Sequence, residues 1–112
     1  MSILDDILDR LIQRTADGRL IWRRSVENDQ FVAAVDAIAV SIRYLRGAMG
    51  YASLGHRLEI MNESGETVEV LDVNSRPTIN QEEQLERLFI LAHRSALNTQ
   101  STLEKLAKAL AS

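Results

Sequence analysis

The sequence predicts an α+β fold: an antiparallel β-meander of four to five strands, with an N-terminal and a C-terminal helix packed on one face. Three observations predict it. Apolar residues recur at helical spacing near both ends of the chain. Between those ends, apolar and polar residues alternate with a period of two. The connections between the alternating runs are short, which suits neighbouring antiparallel strands and leaves no room for crossover helices.

The first helix is predicted over residues 3–15. Ser2-Ile3-Leu4-Asp5 places an N-cap serine before an acid at the third helical position. Ile3, Leu4, Ile7, Leu8, Leu11 and Ile12 follow on one face, and Asp17-Gly18 ends the helix. A helix this short is marginal alone, so its stripe must dock on something.

Strands follow. Leu20 and Trp22 alternate with Arg19, Ile21 and Arg23. Phe31, Ala33 and Val35 mark a second strand, and Asp36-Ala37 turns the chain into a third, carried by Ile38, Val40, Ile42 and Tyr44. Residues 47–55 hold three glycines and read as a loop. Leu58 and Ile60 mark a fourth strand, Asn62-Glu63-Ser64-Gly65 a hairpin turn, and Val68 and Val70 a fifth strand. This register points Val68 and Val70 inward, and Ser41, Met61 and Leu71 outward.

The last third is helical. Thr78 or Asn80 can cap it, with Glu82 and Glu83 favoured in its first turn by the helix dipole. Leu85, Leu88, Phe89, Ala92 and Ala96 form its main stripe, continued by Leu103, Leu106 and Leu110. Residues 98–102 have poor helix propensity, so a kink or a break is expected near Asn98. Ser101-Thr102-Leu103-Glu104 also fits a capping box.

At 112 residues the chain is expected to form a single domain, 1–112. It has no cysteine, which excludes disulfides, thiolate zinc sites and cysteine nucleophiles and suits a cytoplasmic location. Residues 1–14 carry Asp5, Asp6 and Asp9 where a signal peptide would be basic. The longest apolar run is five residues against the roughly 20 that span a bilayer, so no membrane partner is expected. Net charge is -3, unevenly spread: residues 19–57 carry +3 and residues 58–86 carry -7. Complementary pairing within the sheet accounts for that split.

Residues 85–97, Leu-Glu-Arg-Leu-Phe-Ile-Leu-Ala-His-Arg-Ser-Ala-Leu, resemble a recurring ending of small bacterial proteins of unknown function. Those proteins share a short helix, a Trp-bearing first strand, a meander and a closing helix. Leu20-Ile21-Trp22 and Glu66-Thr67-Val68-Glu69-Val70-Leu71 occupy the matching strand positions, and Ala-x-Arg-Ser-Ala at 92–96 carries the motif. The resemblance implies a bacterial origin and an uncharacterised family. It transfers no active-site role.

No catalytic, cofactor or metal site is expected. His56 and His93 are the only histidines and lie far apart in sequence. His93 and Ser95 are two apart on a helix, so they do not face each other as a nucleophile pair would. The glycines of residues 47–55 lack the lysine and following helix of a phosphate loop. Arg19, Arg23 and Arg43 share an outer face, but Trp22, Phe31 and Tyr44 point inward, which argues against a nucleic-acid-binding sheet.

What remains is an apolar surplus. Leu88-Phe89-Ile90-Leu91-Ala92 makes one helix apolar all round, which calls for cover on more than one face. Ile90, Leu91 and Leu97 on that helix, Tyr51 in the glycine-rich loop, and Leu45 and Met61 on the outer sheet face are the expected partner-binding residues. The expected function is a non-enzymatic protein-interaction module that self-associates, of adaptor, regulatory-subunit or immunity type. Its partner is a second copy or another protein. The alternative is a small-ligand domain with a pocket lined by Trp22, Tyr44 and Phe89.

Overall fold

A computed structural model describes residues 2–27, 29–46 and 53–111. Helix α1 spans Ile3–Ala16. Strands β1 (Arg23–Arg24), β2 (Gln30–Val35), β3 (Ile38–Arg46), β4 (Ser53–Met61) and β5 (Thr67–Leu71) follow. A short 3-10 turn over Val73–Ser75 leads to α2 (Ile79–Ala96) and α3 (Thr99–Leu110). The five strands pair antiparallel in chain order, as a meander.

Local chemistry sets most of these boundaries. Ser2 caps α1 by accepting from the Asp5 N–H at 3.2 Å. Thr78 caps α2 in a reciprocal box with Gln81. Asp36, in the left-handed region with a φ of 54°, turns β2 into β3. Asn62 Oδ1 accepts from the N–H groups of Ser64 and Glu66 and closes the β4–β5 hairpin. Asn98, with a φ of 55°, separates α2 from α3. Ser101 lies inside α3 rather than capping it, because the helix already starts at Thr99.

α1 and α2 lie side by side on one face of the sheet. Gln81 Nε2 donates to Asp5 Oδ1 at 2.9 Å, and Gln84 donates to Asp9. Residue numbers rise together across this seam, so the two helices run parallel. The Gln81 hydrogen bond holds the Asp5 carboxyl below its usual pKa. Leu8, Leu11 and Ile12 of α1 and Leu85, Leu88 and Ala92 of α2 close over Phe31, Ala33, Val40, Ile42 and Leu58 of the sheet. That apolar layer is the core.

Three expectations about strands need correction. Leu20 and Trp22 are buried but are not in a strand. Their backbone is satisfied by helices: the Leu20 N–H donates to the Arg14 carbonyl, and the Trp22 N–H to Ser95 Oγ at 3.0 Å. Residues 53–55 belong to β4 rather than to the preceding loop; residues 47–52 lie outside the described residues. The inward set of β5 is also reversed. Leu71 pairs with Leu58 and is 4% exposed, whereas Val68 is 58% exposed. An irregularity between Ile60 and Met61 admits one extra residue on β5, and a slip of one residue exchanges the faces of a strand.

Among the described residues, no helix covers the opposite face of the sheet. Ser41 at its centre is buried nonetheless, between its ladder partners Val32 and Glu59. Arg57 lies on the same face with Glu59 at 2.9 Å and Asp72 at 3.6 Å, and so bridges the basic and acidic parts of the chain. Ile38, assigned to the inner face, is exposed, because it is the first residue of β3 beside the β2–β3 turn at the end of the sheet.

Candidate functional site

Two surfaces stand out, and the first is the helical one. α3 has no buried residue. Leu103, Leu106 and Leu110 lie on one side of it and are 47%, 53% and 76% exposed. The expectation that they continue the core-facing stripe of α2 therefore fails. α2 is spent at Ala96, and the left-handed Asn98 redirects the chain before α3 begins. α3 contacts α2, the helix it follows in the chain, without burying a residue there. The molecule measures 51 × 37 × 29 Å with a radius of gyration of 15.3 Å. A compact chain of this length would have a radius of gyration of about 13 Å.

The residues expected to bind a partner separate as follows. Ile90 is exposed within α2, and Leu97 is exposed at its C-cap, where α3 follows. Leu91 is half-buried against the core. Leu45 is half-buried near the end of β3, and Met61 is half-buried at the end of β4 on the open sheet face. Tyr51 lies outside the described residues. Leu97 thus adjoins α3 and Ile90 lies further back along α2, while Leu45 and Met61 belong to other parts of the surface.

The second surface is the end of the sheet where β3 and β4 pass beyond α2. Two backbone irregularities shape it. The β3–β4 register shifts between Tyr44 and Arg46, opposite Gly55, which takes a φ of 83°. Asp29 takes a φ of 56°, and its carbonyl accepts from the Tyr44 N–H. Irregularities of this kind re-aim side chains at the end of a strand pair. Here they accompany a cluster of five rings. Phe89 of α2 lies 5.5 Å from Phe31, 4.9 Å from His56, 6.1 Å from Tyr44 and 6.3 Å from His93, between ring centroids. His93 also stacks on Phe31 at 5.2 Å, and Tyr44 meets His56 edge-on at 5.4 Å. Burial lowers the His56 pKa below the usual imidazole value, and the Glu86 carboxylate opposes that shift.

Tyr44 divides this end into two grooves. One, of about 540 Å³, is flanked by His56, Glu82 and Glu86. The other, of about 650 Å³, is flanked by Arg24, Arg43, Arg46 and His93. Trp22 lines neither. It is sealed in the core, where its Nε1–H donates to Thr15 Oγ1 at 2.9 Å. The expected pocket of Trp22, Tyr44 and Phe89 therefore does not assemble as one cavity.

Sequence reasoning missed the convergence of the two histidines on Phe89, because one sits on a strand and the other on a helix. The available signal was His93 four residues after Phe89, one helical turn along. Among the described residues, no group of three or more acids and histidines is arranged to hold a metal ion, and no helix is long and apolar enough to cross a membrane. No family model, curated protein or solved structure matches this chain.

Proposed function

We propose that the protein is a non-enzymatic interaction module that self-associates through α3 and the adjoining end of α2. One observation carries this reading: α3 is amphipathic, yet none of its apolar residues is buried within its own chain. A helix of 12 residues is marginal in water without a packed face. A second copy offers that face.

The charge pattern favours a second copy over a strongly charged partner. Glu104, Lys105 and Lys108 lie on the side of α3 away from Leu103, Leu106 and Leu110. Ala107 flanks the apolar stripe, so no like charges oppose each other across a seam between two copies. α3 is about 18 Å long. Its face alone is too small for the roughly 800 Å² per partner of a stable interface. The contact must therefore extend onto Leu97 and Ile90.

Light scattering across a dilution series tests the proposal. The wild-type chain is expected at twice its 12.6 kDa mass, falling to the monomer on dilution. Leu106→Asp and Leu97→Asp are each expected to give a folded monomer at all concentrations. A wild-type monomer throughout the series overturns self-association. A Leu97→Asp variant that unfolds shows that Leu97 is core instead.

A further inference from the structure

The larger groove carries an inference independent of oligomeric state. Arg24 is opposite Phe31 in the β1–β2 ladder, so it lies on the sheet face that α2 covers. His93 reaches the same Phe31 from α2. Arg24 and His93, from two different elements, therefore line one groove together with Phe31. Tyr44 also lines the groove, and the volume of about 650 Å³ is that of a small-molecule site.

The charges in this groove are unequally matched. Asp29 Oδ2 accepts from both Nε and Nη2 of Arg46, at 3.1 and 3.0 Å, so that pair is closed. Glu27 lies 3.8 Å from Arg43, beyond hydrogen-bond length. No described carboxylate lies within ion-pair distance of Arg24. Three guanidiniums thus face two carboxylates, and the one without a partner shares the groove with the exposed His93. The smaller groove across Tyr44 has the reverse character, with Glu82 and Glu86.

We propose that the larger groove binds a small organic phosphate carrying a planar ring, the chemistry of a mononucleotide. The Arg24 fork holds phosphate oxygens by paired, charge-assisted hydrogen bonds. The planar ring stacks on His93 and against Tyr44. The phosphate supplies the negative charge that the groove lacks. The ring uses aromatic surface that the core leaves open.

The probe is adenosine monophosphate, titrated into the full-length chain while the histidine ring resonances are followed by NMR. His93→Asn identifies the His93 signal. Adenosine monophosphate is expected to shift that signal saturably. Inorganic phosphate and adenosine, tested separately, are each expected to bind at least ~10-fold more weakly, since each keeps only half of the contacts. Arg24 is exposed on a two-residue edge strand, so Arg24→Gln is expected to fold normally and to weaken binding by ~10-fold or more. The proposal is overturned by the absence of a saturable shift, by unchanged binding to Arg24→Gln, or by adenosine binding as well as its phosphate. Binding to a single-stranded oligonucleotide but not to the mononucleotide also overturns it, in favour of a nucleic-acid surface.

Discussion

α2 and α3 follow one another in the chain and carry the same kind of apolar stripe, yet only α2 has a partner inside the domain. Leu85, Leu88 and Ala92 of α2 are buried over the sheet, while Leu103, Leu106 and Leu110 of α3 face outward. The cause is geometric. An 18-residue helix is about 27 Å long. Five strands at the usual spacing make a sheet only about 19 Å across. α2 therefore already spans the sheet, and nothing remains for a collinear extension to cover. Asn98 in the left-handed region then turns the chain off that axis. An apolar stripe in a sequence thus reports that a helix will be covered, and sheet width decides whether the cover is its own chain.

The sharpest way to break this comparison is to truncate one leucine from each helix. Leu88 is fully buried in the core, so Leu88→Ala is expected to cost about 2–5 kcal/mol of unfolding free energy. Leu106→Ala is expected to stay within about 0.5 kcal/mol when measured at concentrations where the chain is monomeric. Urea denaturation at high dilution reads both. Equal losses in the two variants would place α3 in the same cooperative core as α2 and remove the distinction.

A smaller effect is expected where α1 meets the Trp22 segment. Thr15 Oγ1 donates to the Leu11 carbonyl at 2.6 Å and accepts from the buried Trp22 indole N–H. Thr15→Val keeps the shape and removes the acceptor. An indole N–H left buried and unpaired is expected to cost about 1–3 kcal/mol. A loss below a few tenths would mean that water reaches the indole, and that the seal between α1 and the Trp22 segment is looser than that over Leu88.

Features set within a few residues were legible in the sequence, and those set by distant packing were not. The caps at Ser2 and Thr78, the turn at Asp36 and the hairpin at Asn62 each depend on local side-chain chemistry. So does the alternation of Phe31, Ala33, Val40 and Ile42. The order of a meander then follows from short connections. Leu71 was misplaced because an irregularity in the β4–β5 pairing leaves no mark in a period-two pattern. The Trp22 segment was misread because its N–H is satisfied by Ser95, 73 residues away. In that bond the Ser95 hydroxyl accepts from the Trp22 N–H and fastens α2 to the Trp22 segment. In the candidate sites, the exposure of Ile90 and Leu97 followed from helical periodicity. The cluster around Phe89 needed a strand and a helix to be placed together, which no local pattern encodes.

The two histidines extend the contrast between covered and uncovered surface to pH. His56 is partly buried between Tyr44 and Phe89, and His93 is exposed. Burial lowers the folded-state pKa of His56 below the unfolded value, with Glu86 opposing from α2. Well above about pH 6.5 the ring is neutral in both states and has no effect on stability. As the pH falls through that value, the unfolded chain takes up the proton first. The native state is then progressively disfavoured, and the loss levels off once the pH drops below the folded pKa. Stability is therefore expected to fall between about pH 7.5 and pH 5.5, above the range where most carboxylates titrate. Urea midpoints across that interval measure the fall. His56→Gln is expected to flatten it. A rise in stability over the same interval would mean that attraction to Glu86 outweighs desolvation. The ring cluster would then be a wet surface and not an extension of the core.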